Sequence, residues 1–246
     1  MNKNVIHINC DLGEGGGADA ELMPFLSACN IACGGHYGDL QSIAHTVELA
    51  MNHGVKIGAH PAYPDRENFG RKTMDISLDA LQHTLIEQIL RIKAQTEKRG
   101  GQLHHVKPHG ALYNDIVKDS AKAAVVVNSI VEVDDHLILF APPQAVVRDL
   151  AKGKLKVWTE GFMDRGYNAD FSLVARKRPG AVLQTKEAVF KRALSLAMTN
   201  SIFTINNQRL HADFDTVCLH SDTENAVEIL QYVYEKLTEH HIRIFK

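Results

Sequence analysis

The feature that most constrains this chain is a set of short apolar runs whose polar, titratable residues all fall on one face. In residues 5–11, Ile6, Ile8 and Cys10 alternate with His7, Asn9 and Asp11, and in an extended strand successive side chains point to opposite sides. Residues 55–60 oppose Val55, Ile57 and Ala59 to Lys56, Gly58 and His60, and residues 103–109 put His105, Lys107 and His109 on one face. Residues 155–160 set Leu155 and Val157 against Lys156, Trp158 and Glu160, and residues 216–220 set Val217 and Leu219 against Cys218 and His220. A parallel sheet covered by helices on both sides reads as a nearly continuous apolar run, so one-sided polarity requires a lumen or cleft.

Residues 28–32 and 137–141 bring the predicted strands to seven, and stretches of helical period separate them at 41–52, 77–98, 121–131, 186–199 and 223–240. Strand and helix in alternation is the pattern of parallel βαβ units. Closing such units on themselves gives an α/β fold, a seven-stranded parallel β/α barrel, with side chains filling the interior and catalytic groups at the C-terminal rim. Six of the seven runs end in a polar or titratable group, and residues 137–141 are the exception, running into Pro142 and Pro143. No linker, low-complexity tract or repeat interrupts the chain, so residues 1–246 read as a single catalytic domain. The longest stretch without a clear element is 162–181, and loops of that length tend to be lids or binding loops.

With 27 basic against 29 acidic residues and no long run of either sign, the chain has no electrostatic footprint for nucleic acid or an anionic membrane. It also contains no apolar stretch of the roughly 18 residues a membrane span needs, and a cytoplasmic location is expected. Cys10, Cys29, Cys33 and Cys218 lack C-x-x-C spacing and read as buried free thiols.

The chemistry-bearing segments lie where the runs end. Asn9-Cys10-Asp11-Leu12-Gly13-Glu14-Gly15-Gly16-Gly17 is a strand entering a glycine-rich turn, but it lacks the Gly-Lys-Ser/Thr of a phosphate loop and the dinucleotide fingerprint. Asn30 to Asp39 again passes through glycines to His36 and Tyr37. Gly58-Ala59-His60-Pro61 places an inward histidine before a strand-stopping proline, and Arg71 follows on the next loop. Val106-Lys107-Pro108-His109-Gly110-Ala111-Leu112-Tyr113 is the most specific segment, because a lysine facing a barrel interior must pair with a carboxylate or lose its proton. Glu160 supplies a second inward carboxylate ahead of Asp164 and Arg165, and Cys218-Leu219-His220 closes the ring.

Together these segments resemble the LamB/YcsF family over essentially the whole chain, in family order. The departures are Gly16 and Gly35 where the family usually has phenylalanine, and Ser221 in place of a usual glycine. The resemblance implies a barrel similar to glycoside hydrolase and deacetylase barrels. It also implies a share in ATP-dependent opening of 5-oxo-L-proline to L-glutamate together with B and C subunits, ATP being used at the level of that complex. Under this reading Asp11, His60, Lys107, His109 and Glu160 are catalytic: Asp11 or Glu160 activates water, Lys107 and His109 stabilise the developing oxyanion, and His60 and His220 relay protons or orient partners. Asn9, Glu14, Asn30, His36, Arg71, Arg165 and His220 contact substrate, Arg165 and Arg71 holding its carboxylate. Truncating Lys107 is then expected to abolish turnover without unfolding the barrel. Two rivals are a deacetylase or amidohydrolase with a divalent metal at Asp11, His60 and His109, for which no local spacing argues, and a non-catalytic binding protein within the same complex.

Overall fold

In the computed structural model, which describes residues 4–245, the one-sided strands close on themselves. The strands in chain order are β1 (Val5–Ile6), β2 (Ile8–Leu12), β3 (Ala28–Ala32), β4 (Lys56–His60), β5 (Leu103–Val106), β6 (Ile138–Ala141), β7 (Lys156–Phe162), β8 (Ser201–Phe203), β9 (Arg209–His211), β10 (Thr216–His220) and β11 (Arg243–Ile244). The helices are α1 (Asp19–Leu22), α2 (Leu40–Asn52), α3 (Leu78–Glu97), α4 (Gly110–Asp115), α5 (Ser120–Val133), α6 (Val146–Ala151), α7 (Lys186–Thr199) and α8 (Ala226–Glu239). Strands β10, β2, β3, β4, β5, β6 and β7 form a closed parallel barrel, each hydrogen-bonded to the next. All seven predicted runs are therefore barrel strands. Residues 1–3 and 246 of the expected single domain lie outside the described residues.

The outward face of each strand is sealed by helices. Ile8, Cys10 and Leu12 of β2 have no exposed surface, and neither do Leu81, Ile89 and Ile92 on the inner face of α3. Spacings of three and four residues align such side chains on one helical stripe, and each fully buried Leu or Ile contributes roughly 1.5–3 kcal/mol. Helix starts are marked by side chains that satisfy the unpaired amides of the first turn. Asp39 accepts from the amides of Gln41 and Ser42 at the start of α2, and Ser77 from that of Ala80 at α3.

Where the elements differ from expectation, a local cause is visible. The first predicted strand splits at His7, because β1 leaves the barrel to pair with β11 while β2 stays in it. The 103–109 run ends as a strand at Val106 because Pro108 has no amide to donate. Its path nevertheless continues alongside β4, with the amides of Lys107 and His109 donating to the carbonyls of Ala59 and Pro61. Helices α1, α4 and α6 and the β8–β9 hairpin were not anticipated; each spans six residues or fewer per element, too short to display a period. The 162–181 segment is irregular, stitched by the bridges Arg165 to Val182 and Tyr167 to Leu173. All four cysteines are buried free thiols, and among the described residues no helix is long and apolar enough to cross a membrane.

Candidate active site

The register of the barrel decides which polar residues meet. Asn30 stands beside Asp11 on one side and Gly58 on the other, and Gly58 stands beside His105. A side chain at Gly58 would occupy the space of the His105 imidazole, so glycine here lets that ring lie across the lumen and reach Asn30 at 2.7 Å. Asn30 in turn donates to Asn9 at 2.7 Å and to Asp11 at 2.8 Å, and Asn9 donates to Glu160 at 3.0 Å and Thr216 at 2.8 Å. This layer is fully buried and hydrogen-bonded throughout, which fixes the carboxylates above it.

Above it sits Lys107. Its ammonium lies 2.8 Å from Asp11 Oδ1, 3.1 Å from Glu160 Oε1 and 3.2 Å from Cys218 Sγ. Burial opposes charge on both partners. The carboxylates nonetheless keep Lys107 well above the ordinary lysine range, and the charges of His60 and Lys107 hold Asp11 well below the usual carboxylate range. Hydrogen bonds to Asp11 Oδ1 and Cys218 Sγ take two of its three hydrogens, and Glu160 is an ion-pair partner on a third side. Lys107 is thereby held at the cavity wall as a buried positive charge between two carboxylates.

Two buried polar atoms on the cavity wall, Glu160 Oε2 and the Tyr113 hydroxyl, have no protein hydrogen-bond partner within 3.5 Å, although the Glu160 carboxylate lies close enough to act on the phenol. Burial and then the Glu160 carboxylate push the Tyr113 phenol well above its ordinary value, so it keeps its proton and can donate. Tyr113 reaches the wall because the chain turns into α4 at Gly110, which adopts a φ of 55°. A Cβ at Gly110 would lie 2.6 Å from the Gly70 carbonyl oxygen, so the turn admits only glycine.

A second cluster joins His60, His109, Glu14 and His36. His60 Nε2 lies 2.9 Å from His109 Nδ1 and 3.4 Å from Asp11 Oδ2. Glu14 Oε1 lies 2.8 Å from His36 Nε2 and 3.3 Å from His109 Nδ1, and the His36 and His109 rings stack with centroids 3.7 Å apart. Burial and then the His60 charge drive His36 down to about 2, so it stays neutral.

Asp11, Glu14, His60, Lys107, His109, Tyr113 and Glu160 line a cavity of about 750 Å³ at the C-terminal end of the barrel, roofed by residues 170–177 and walled on one side by Pro142 and Pro143. At its mouth Arg71 and Arg176 both pair with Asp222, joining three loops at the opening. Arg165 also lines the cavity, but its Nε and one Nη donate to the carbonyls of Ala181 and Val174 at 3.1 and 2.9 Å. It pins the 162–181 segment, and its fork is not presented to a ligand as expected.

Beneath the mouth Asp164 accepts from the His220 amide at 3.2 Å, His220 Nδ1 at 3.0 Å and the Thr223 hydroxyl at 2.7 Å. Burial alone would raise its pKa, but His220 and the hydrogen bonds outweigh this and hold it at about 2. Because the folded value lies below the unfolded one of about 3.9, the stabilisation is full above roughly pH 5 and is lost as pH falls toward 2. Asp164→Asn is expected to cost on the order of 2 kcal/mol at pH 7 and to flatten the acid limb of the stability curve. Urea unfolding at pH 7 and pH 3 measures both, and an unchanged acid limb would contradict this role.

Of the residues singled out from sequence, Asp11, Glu14, His60, Arg71, Lys107, His109, Glu160, Arg165 and His220 line the cavity. Asn9, Asn30 and His36 do not; they sit behind the wall, positioning Asp11, Glu160 and Glu14, Asn9 and Asn30 within their strands and His36 stacked against His109. Tyr113, Asp164, Arg176 and Asp222 were missed as site residues. Tyr113 closes the Val106 to Tyr113 segment and could have been weighed; the other three depend on loop paths.

A family model described as LamB/YcsF family matches residues 6–246. Among curated relatives, the A subunit of 5-oxoprolinase from Pyrococcus furiosus is 38% identical over 245 residues, covering 97% of this chain and 96% of its own length. The protein of the same name from Symbiobacterium thermophilum is 38% identical over 239 residues, covering 94% and 91%. Among solved structures, the lactam utilization protein from Thermus thermophilus superposes with a TM-score of 0.91 at 33% identity, over 98% of this chain and 99% of that one. A family 4 carbohydrate esterase from Streptomyces lividans shares the fold alone, with a TM-score of 0.50 at 10% identity over 99% and 91%.

Proposed function

The chain belongs to the LamB/YcsF family, and on that premise we propose that it is the A subunit of a 5-oxoprolinase, taking part in hydrolytic opening of the lactam 5-oxo-L-proline to L-glutamate. The observation that carries this reading is the pair of partnerless groups on one wall, the Glu160 Oε2 acceptor and the Tyr113 hydroxyl donor. A lactam is a resonance-stabilised amide, and opening it by water requires a base for the water, a donor for the carbonyl oxygen and a proton for the leaving nitrogen. Glu160 Oε2 takes the water proton as oxygen adds to the ring carbonyl, and the Tyr113 hydroxyl donates to the developing oxyanion. The Lys107 charge behind them favours the oxyanion electrostatically, and His220, oriented by Asp164, gives its own proton to the nitrogen as the C–N bond breaks, being reprotonated from solvent while Glu160 releases the water proton to solvent after product leaves. The substrate carboxylate is assigned to Arg71 and Arg176 at the mouth, where it would take over part of their pairing with Asp222.

Relatives carry the name of one component of a multi-subunit enzyme, and the 13–17 turn lacks the lysine of a phosphate loop. ATP is therefore assigned to the assembled complex with B and C subunits, where phosphorylation of the lactam oxygen would make the carbonyl carbon more electrophilic. The test is glutamate formation from 5-oxo-L-proline and ATP by this chain with and without those subunits. Glutamate is expected only from the complete mixture, and equal rates from B and C subunits without this chain would end the proposal.

Tyr113→Phe separates chemistry from folding. Removing a hydroxyl that makes no protein hydrogen bond within 3.5 Å is expected to cost no more than about 1 kcal/mol of stability. Loss of the oxyanion donor is expected to lower kcat by roughly 100-fold or more. Thermal unfolding and steady-state kinetics on the same preparation check this, and unaltered kcat would remove Tyr113 from the mechanism.

A further inference from the structure

The histidine pair in the second cluster has a hydrogen-bonding conflict that two neutral rings cannot resolve. His60 Nδ1 lies 2.6 Å from the Lys107 carbonyl oxygen, and His109 Nε2 lies 2.9 Å from the Phe69 carbonyl oxygen. A carbonyl only accepts, so both of these nitrogens carry hydrogen. The contact to Phe69 has a backbone cost: Phe69 takes a left-handed φ of 55°, a conformation unfavourable for an aromatic residue, and so brings its carbonyl to the ring. The remaining nitrogens, His60 Nε2 and His109 Nδ1, face each other at 2.9 Å, so the ion-free pair must hold one proton between them, which leaves His60 charged beside Asp11, and a bound cation would take that proton's place. Two further lone-pair donors converge on them. Asp11 Oδ2 is 3.4 Å from His60 Nε2, and Glu14 Oε1 is 3.3 Å from His109 Nδ1 and 3.9 Å from His60 Nε2.

The geometry points to a divalent-cation site formed by His60 Nε2, His109 Nδ1, Glu14 Oε1 and Asp11 Oδ2 on the wall of the cavity. Ligand bonds of about 2.0–2.2 Å place the donors of a tetrahedral site roughly 3.3 Å apart, within the range of the separations above. Three of the donors are also held from behind, as ligands of metal sites are: the two histidines by carbonyls, and Asp11 through its other oxygen by Lys107 and Asn30, both at 2.8 Å. Glu14 Oε1 itself accepts from His36 at 2.8 Å and offers its second lone pair to the ion. Two imidazoles with two carboxylate oxygens suit a first-row transition ion such as zinc and disfavour calcium or magnesium. The neighbouring grouping of Asp11, Cys218 and His220 is a weaker candidate, because the Lys107 ammonium already lies between Asp11 and Cys218. A cation at the proposed site would supply Lewis-acid polarisation to an oxygen in the cavity.

The test reads the ion and not turnover, so its failure leaves the lactam proposal standing. Chelator-treated full-length protein is titrated with Co²⁺ and followed by visible absorption, with Zn²⁺ stoichiometry by equilibrium dialysis. Wild type is expected to take up one ion per chain with visible d–d bands and no thiolate-to-cobalt charge-transfer band. His60→Gln and His109→Gln, checked for folding by circular dichroism, are expected to lose stoichiometric binding, whereas His136→Ala on the surface is expected to retain it. No uptake by wild type, a thiolate band implicating Cys218, or undiminished uptake in both histidine variants would overturn the site.

Discussion

Replacing Lys107 with methionine is expected to destabilise the folded chain by about 3–5 kcal/mol and to abolish its contribution to turnover. The side chain is 2% exposed, and its ammonium lies within 3.1 Å of both Asp11 and Glu160. Methionine keeps the volume but leaves two carboxylates in the lumen without their cation, and removing one partner of a buried pair costs far more than removing both. Adding Asp11→Asn to Lys107→Met is therefore expected to recover part of the loss. Denaturant unfolding of the single and double variants measures this, and a loss below about 1 kcal/mol for the single variant would show that Lys107 does not hold the lumen together. From sequence alone, truncating Lys107 reads as a purely catalytic lesion. The three-way contact makes it a structural one as well, so activity lost in Lys107 variants cannot by itself assign a chemical role.

Glu160→Gln is the cleaner chemical lesion and is expected to lower kcat of the assembled complex by roughly 100- to 10,000-fold, the range for removing a general base. Glutamine keeps an acceptor for the Asn9 amide, which lies 3.0 Å from Glu160 Oε1, while Lys107 retains Asp11 as its counter-ion. Its destabilisation should consequently be well below that of Lys107→Met. A complex that assembles normally and turns over at the wild-type rate with Glu160→Gln would remove Glu160 as the base.

The barrel was legible because alternation along a strand is a backbone property: once Asn9 and Asp11 oppose Ile8 and Cys10, their face is set. Depth along the lumen is not carried by alternation. Asn9 and Asp11 share a face, yet only Asp11 reaches the cavity, and that depends on the stagger of β2 against β3 and β10. Loop contributions were the least readable. Arg165 looked like a carboxylate clamp, but the path of residues 173–182 brings two carbonyls to its guanidinium. Arg176 and Asp222 meet only because two loops distant in sequence converge at the mouth. The glycine at position 35 also has a physical reason: a side chain there would occupy the space of the Gln88 amide, which bonds both the amide and the carbonyl of Ala62. Gly16 has open space around it, and nothing in the structure explains that residue.

The central claim is that a lactam ring binds in the lumen cavity between Glu160 Oε2 and the Tyr113 hydroxyl. A crystal structure of the chain with 5-oxo-L-proline bound tests it directly. The expected result is ligand density at the C-terminal end of the barrel, with the ring carbonyl within hydrogen-bond distance of Tyr113, Glu160 beside the ring carbonyl carbon, and the carboxylate toward Arg71 and Arg176. Ligand bound elsewhere on the chain, or with its carboxylate buried against Lys107 and its ring at the mouth, would contradict the account.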